Sequence, residues 1–326
     1  MDDRRIELLA RTPSVATTRA PEAMAQGSRS RRPGRQRGAA LLALCAALAL
    51  PVSASAAGRI VTVYDAFGAK NELERDWGYA ALVEYAGKRI LFDTGNDAGV
   101  FARNLQRLKV DLRTVDAVVI SHRHGDHTTG LSHVLEVNPR VKIYVPQEGA
   151  YFGSPVPRPF LAPEPGLPRE LRYFDGEPPA QLASGTPWPR GNFQIVSEPI
   201  EIFPGVMVIS TPSCRAGTLE MNELSLVVRT PRGLAVVVGC AHPGVETILG
   251  RATEIDSRLH LAVGGFHLVQ MPRADVEQLA AVLDDTLRVE RIAPGHCTSE
   301  RGFAVLKERF KERFVPAGVG AVIALP

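Results

Sequence analysis

The run "AVVISHRHGDH", Ala117–His127, constrains the chain more than any other stretch. Four apolar residues, Ala117–Ile120, have the length and β-branched content of a buried strand. Three histidines and an aspartate then fall within six positions, His122–His127, in a chain that has eight histidines altogether. Neutral imidazole and carboxylate are the usual ligands of zinc and similar divalent metals. Directly after a strand, alternation points His122 and His124 the same way. A turn at Gly125 swings Asp126 and His127 towards a second point. One short segment can therefore supply two ligands to each of two metals. The competing reading is a polar surface turn without metal, and four ligand-type residues at this spacing argue against it.

The surrounding text alternates short β-rich runs with helical patterns. "RIVTVYD" reads as a strand, "YAALVEY" and "RILFDTG" as a hairpin, and "GVFARNLQRL" as a helix. "TGLSHVLEV" is helical and "KIYVP" is a strand. The Pro- and Gly-rich residues from Ser154 to Pro189 read as a surface excursion. The plan then recurs: strand "GVMVIST", hairpin "LSLVVRT" with "GLAVVVGC", helix "VETILGRA" and strand "LHLAVGG". Helix "DVEQLAAVLDD", strand "VERIAP" and helix "FAVLKERFKERF" follow. Two halves on one plan fit two β-sheets packed face to face with helices outside, a four-layer α/β/β/α sandwich in one domain, residues 57–326.

Residues 1–56 differ in kind. They hold nine arginines and four acidic residues, so the net charge of +3 becomes 29 basic against 31 acidic residues for the remainder. That near-neutral balance gives no reason to expect nucleic acid as a partner. The basic run "RSRRPGRQRG", the apolar core "AALLALCAALAL" and the small residues "ASA" fit an export signal, with Met24 as an alternative start. The apolar run falls short of the roughly 20 residues of a membrane span. The expectation is an exported, periplasmic or secreted protein whose mature form has no membrane span. Beyond this segment lie Cys214, Cys240 and Cys297, too few for a disulfide framework.

Two metals need more ligands than the cluster holds. His242 in "GCAHPG" and His296 in "APGHCT" each follow a strand and are the candidates, although each could be a core or capping histidine. At this point the sequence resembles the metallo-β-lactamase-fold hydrolases. It is similar in particular to the branch of dihydropterin-ribofuranosyl-aminobenzene phosphate synthase-like proteins. "VYD", "ILFDTG" with Asn104 downstream, "SHRHGDHTTGL", "NELSL", "GCAHPG", "GGFHL" and "APGHCT" carry the resemblance. It implies the sandwich fold and a dinuclear centre, with His122, His124 and His242 on one metal and Asp126, His127 and His296 on the other. Zinc is the first expectation, with manganese and iron as alternatives.

The chain departs from the commonest superfamily pattern twice. Cys214 stands where many members have a histidine, and Cys240 where many have a bridging aspartate. Cys240 is either a ligand or a small buried residue. If the strand continues past Gly239, Cys240 and His242 share a face and both reach the metals; if it turns there, only one does. Asp93 in "FDTG" is expected to orient a ligand histidine. Glu223 has an open role, with a surface salt bridge as the plain alternative. His267 could protonate a leaving group or hold a substrate anion, or be merely buried. His133 and His260 read as structural or exposed.

The function expected is metal-dependent hydrolysis of a small-molecule ester, lactone or phosphoester. Water held between two cations becomes hydroxide near neutral pH, so no protein nucleophile is needed. Asp126 and His267 are the candidates for direct catalytic roles. No G-x-S-x-G elbow occurs. A di-iron redox enzyme on the same fold and a non-catalytic metal- or ligand-binding module are the alternatives.

Overall fold

Residue alternation decides the layers. In a computed structural model, the structure describes residues 58–70, 72–148, 152, 165–166, 168–180, 182, 185–213 and 221–326. The proposed export segment, Cys214 and much of the 154–189 excursion lie outside the described residues.

The first sheet begins with β1 (Gly58–Tyr64), β2 (Ala80–Tyr85), β3 (Lys88–Phe92), β4 (Ala117–Val119), β5 (Lys142–Pro146) and β6 (Asn192–Val196). The second holds β7 (Ile200–Phe203), β8 (Val206–Pro212), β9 (Asn222–Thr230), β10 (Gly233–Val238), β11 (Leu259–Gly265) and β12 (Arg291–Gly295). A last strand, β13 (Val322–Leu325), returns to pair with β1 in the first sheet. The orders are β13-β1-β2-β3-β4-β5-β6 and β12-β11-β10-β9-β8-β7. The strands β6, β7 and β13 carry weak apolar alternation, and none was expected from sequence.

Successive side chains face opposite ways. Ala81, Val83, Ile90 and Phe92 meet Ala235, Val237, Leu261 and Val263 in a core between the sheets. Their neighbours Leu82, Leu91 and Val118 face outward, against Phe101 and Leu105 of α1 (Ala98–Arg107). After α2 (Gly125–Thr128), α3 (Leu131–Val137) adds Leu131 and Val134 to this outer core. On the other side Leu234, Val236 and Ala262 pack against α4 (Val245–Ala252), α5 (Arg273–Ala281) and α6 (Glu300–Phe310). The expected four layers are present.

Topology then positions a rim. The pairs β3–β4, β10–β11 and β11–β12 are parallel. The carboxyl ends of β10, β11 and β12 therefore share one edge, and the segments that follow carry Cys240, His242, His267 and His296. β9 runs antiparallel to β10, which brings its first residues, Asn222 and Glu223, to the same edge. A hydrogen bond from Leu224 N to Ser121 O (2.8 Å) ties that edge to the end of β4.

Candidate metal centre

Beyond β4 the chain enters the histidine cluster while still buried. His122 and His127 are fully buried, and the one-turn α2 places Asp126 and His127 after His124. The expected turn at Gly125 is thus a turn of helix. His122 Nε2 lies 3.1 Å from His124 Nδ1. His127 Nε2 lies 3.3 Å from His296 Nε2, and Asp126 Oδ2 lies 3.3 Å from that same nitrogen. His242 packs its ring 4.9 Å from His122 and 4.8 Å from His124, centroid to centroid. The donor atoms of His122, His124 and His242 all lie within 4.8 Å of one another, and so do those of Asp126, His127 and His296. The rings of His122 and His127, 4.3 Å apart, join the two groups.

The segment after β10 corrects two expectations. Glu223 forms no surface salt bridge. It is buried, and its carboxylate accepts the backbone N–H groups of Cys240 (2.9 Å), Ala241 (2.7 Å) and His242 (2.8 Å). Three consecutive donors aimed at one carboxylate need a tight curl, and Ala241 takes a left-handed φ of 58° to make it. The either-or between Cys240 and His242 fails for the same reason. The strand does end at Val238, yet the curl brings both side chains to the centre, with Cys240 Sγ 3.2 Å from His127 Nε2. Gly239 permits the approach, because a Cβ there would lie 2.1 Å from Ser121 Oγ.

Asp93 sets the tautomers. Its Oδ1 accepts from Ser121 N (2.7 Å), and its Oδ2 accepts from Ser121 Oγ (2.7 Å) and His127 Nδ1 (2.7 Å). The single Ser121 hydroxyl proton is committed to Asp93. Ser121 Oγ must therefore accept from His122 Nδ1, 2.8 Å away. Both histidines carry hydrogen on Nδ1, which leaves Nε2, aimed into the centre, as the atom that would bind a metal. Asp65 plays a related part for the last strand, accepting the backbone N–H of His296 at 3.0 Å.

The electrostatics favour neutral imidazole at His122 and His242, with His127 as the exception. Burial, with neighbouring histidines adding to it, holds His122 well below the ordinary imidazole range. Burial and then His267 and His124 pull His242 down to about 3. Burial also pulls on His127, but the Asp93 carboxylate overrides it and pushes that ring up to about 9 when no cation competes. Burial tends to raise Asp126, while His296 and His127 outweigh it and keep the carboxylate ionised. Burial raises Glu223 to about 7 and Asp65 to about 8.

Orphaned atoms test whether a cation fits. Both ring nitrogens of His242 and the Nδ1 of His296 are buried without a hydrogen-bond partner among the described residues. Each such group costs on the order of 1–3 kcal/mol. A divalent ion among His122, His124 and His242 would satisfy one of them, and the nitrogen and oxygen donors suit zinc and its neighbours. The residues fit two cations.

Among the other singled-out residues, His267 holds its ring 4.3 Å from that of His242, tilted by 49°, and is partly exposed. His133 lies 3.7 Å from Glu136, and His260 lies 2.7 Å from Glu290, both away from the centre. Asn104 ties Val63 O and Glu74 O. Sequence reasoning missed the parts of Asp65, Ser121 and Trp77. The Trp77 indole, 49% exposed, lies 4.9 Å from the His296 ring. The "VYD" and "SH" strand ends were the available signals for the first two; Trp77 had none.

The model of the metallo-beta-lactamase superfamily matches residues 76–296. The 7,8-dihydropterin-6-methyl-4-(beta-D-ribofuranosyl)-aminobenzene-5'-phosphate synthase of Methanocaldococcus jannaschii is 27% identical over 263 residues, 72% of this chain and 84% of that protein. An uncharacterized protein of the same organism is 25% identical over 267 residues, 76% of this chain and 93% of its own. A solved structure described as a metal-dependent hydrolase of the beta-lactamase superfamily aligns with a TM-score of 0.62 and 25% identity, covering 82% of this chain and 98% of its own.

Proposed function

Because the chain belongs to the metallo-beta-lactamase superfamily, we propose that it is a metal-dependent hydrolase of a small-molecule ester, lactone or phosphoester. The observation that carries this reading is the adjacency of two complete donor groups, His122–His124–His242 and Asp126–His127–His296. These residues would hold two divalent cations, zinc in the first instance. Such ions polarise a carbonyl or phosphoryl oxygen and lower the pKa of water towards neutrality.

The chain's own residues make that chemistry repeatable. Asp93 holds the Nδ1 proton of His127 directly and that of His122 through Ser121, so both rings keep one orientation. Glu223 clamps the curl that carries His242, and Asp65 anchors the backbone of His296. Asp126 contributes a negative charge to the second group. We assign His267, on the partly exposed side of His242, to hold a substrate anion or pass a proton to a leaving group.

The test is turnover of an ester, lactone and phosphodiester panel after loading with zinc, manganese or iron. The expected result is hydrolysis of at least one class by protein carrying two ions, lost in Asp126→Ala. Two bound ions with no turnover of any class would overturn the hydrolase reading. One relative is named a synthase, and this favours group transfer as the second reading. Product that forms only when an acceptor is supplied would select it. The basic run and apolar core before Ala57 further support export. Mass spectrometry should find mature protein starting near Ala57, and intact residues 1–56 in the cytoplasm would remove that part.

A further inference from the structure

Two cysteines meet at the rim although a strand separates them. Cys240 follows β10 and Cys297 follows β12, with β11 between in the sheet. Their sulfurs lie 3.4 Å apart, and both are buried free thiols. Gly265, the last residue of β11, leaves the room. A Cβ there would lie 2.8 Å from Cys297 Sγ and 2.4 Å from the Gly239 carbonyl oxygen. The strand that should divide the thiols has no side chain where they meet.

His267 completes the group. Two residues beyond Gly265 and with a left-handed φ of 49°, it brings a ring nitrogen close to both sulfurs. The three donor atoms all lie within 4.8 Å of one another. Two thiolates and an imidazole are a soft set, suited to Zn(II), Cd(II) and Cu(I). The two neighbouring groups offer three nitrogens in one case and two nitrogens with a carboxylate oxygen in the other. Cys240 stands on the shared wall, since its sulfur is also 3.2 Å from His127 Nε2.

We propose that Cys240, Cys297 and His267 form a third cation site, selective for soft ions and adjoining the two-cation centre. The inference rests on the metal-dependent reading of that neighbouring centre, but its ligands are its own. As the ion enters, each thiol gives its proton to solvent and forms a sulfur–metal bond, with no change of oxidation state. Occupancy draws the His267 ring away from substrate, so soft ions should slow turnover.

The experiment uses the full chain, kept reduced with a phosphine, loaded with two equivalents of zinc and titrated with cadmium. One cadmium per chain should bind with a thiolate-to-cadmium ultraviolet absorption. X-ray absorption of the wild-type protein should count two sulfurs and one nitrogen from the chain around it. His267→Ala should weaken cadmium binding by at least about 10–100-fold, the scale for disturbing a metal's surroundings. Cys297→Ser should abolish the two-sulfur signature while zinc stays bound. Cadmium surrounded by nitrogen and oxygen alone would overturn the site, and so would an unchanged absorption in Cys297→Ser. Failure of the neighbouring centre looks different: zinc would be absent before any cadmium is added, in wild type and variant alike.

Discussion

Two buried histidines stand at opposite ends of the second sheet. His260 is the second residue of β11, 1% exposed, and its Nδ1 lies 2.7 Å from Glu290 Oε2. His242 follows the far end of β10, is 3% exposed, and has no hydrogen-bond partner for either nitrogen among the described residues. Burial is almost the same in the two; satisfaction differs. A histidine that closes its hydrogen bonds within the fold is structural. One buried with open lone pairs, beside three more imidazoles, has the setting of a cation ligand.

The sharpest way to break this contrast is His242→Ala. Loss of a ligand should lower cation affinity by at least about 100-fold and abolish turnover, read as metal stoichiometry beside hydrolysis rate. A variant that keeps both ions would put His242 in the class of His260. Asp93→Asn comes next. It leaves the donors in place but removes the acceptor that sets both tautomers, so affinity should fall about 10–100-fold. Full affinity in this variant would show that Asp93 serves only the backbone of Ser121. Cys240→Ser should matter less, because both cation groups are complete without sulfur. It is expected to keep two ions and much of the rate, and metal loss would make the thiolate a ligand of the main centre.

The contrast also has a pH signature in chelator-treated protein. Folded His127 keeps its proton up to about 9, against an ordinary value near 6.5. Folded Glu223 and Asp65 hold theirs to about 7 and about 8, well above ordinary carboxyls. In all three the folded state binds more protons than the unfolded one, so stability falls as pH rises. The His127 part is fully present below about pH 6.5 and lost as pH passes about 9; the carboxyl parts are lost between about pH 4 and pH 8. Denaturant midpoints should therefore be lower at pH 9 than at pH 6. The slope should shrink with cations bound, because they displace a proton from His127. A midpoint that rises between pH 7 and pH 9 in the chelated protein would contradict the assignment, since the opposite trend of His242, held down to about 3, is confined to pH below about 6.5. The smallest effect belongs to His260→Gln, which should cost on the order of 1–3 kcal/mol of stability and leave metal content unchanged. Loss of metal there would erase the distinction between the two ends.

Local pattern by itself determined the strands and the donors of the first segment. The apolar runs "YAALVEY" and "GLAVVVGC" form β2 and β10, while the four layers were what the recurring element order fitted and the family resemblance implied. The run His122–His127 carries four of the six expected ligands, because neighbours in sequence stay neighbours in space. What lay beyond reach depends on contacts between distant segments. Glu223 is 17 residues from Cys240, and only the antiparallel pairing of β9 with β10 makes it the clamp of the curl. Asp93 reaches His127 across 34 positions, and its hold on His122 through Ser121 exists only in three dimensions. The two paths posed for Cys240 and His242, a continued strand or a turn, left out the one observed, in which the chain curls at a left-handed Ala241 and both side chains come inward. Cys297 was given no role, because sequence does not show that β12 lies one strand from β10, or that Gly265 leaves the gap. Periodicity is a local property of the chain, so it is legible in sequence; which strand ends meet is set by packing between the sheets, and the tertiary structure alone decided it.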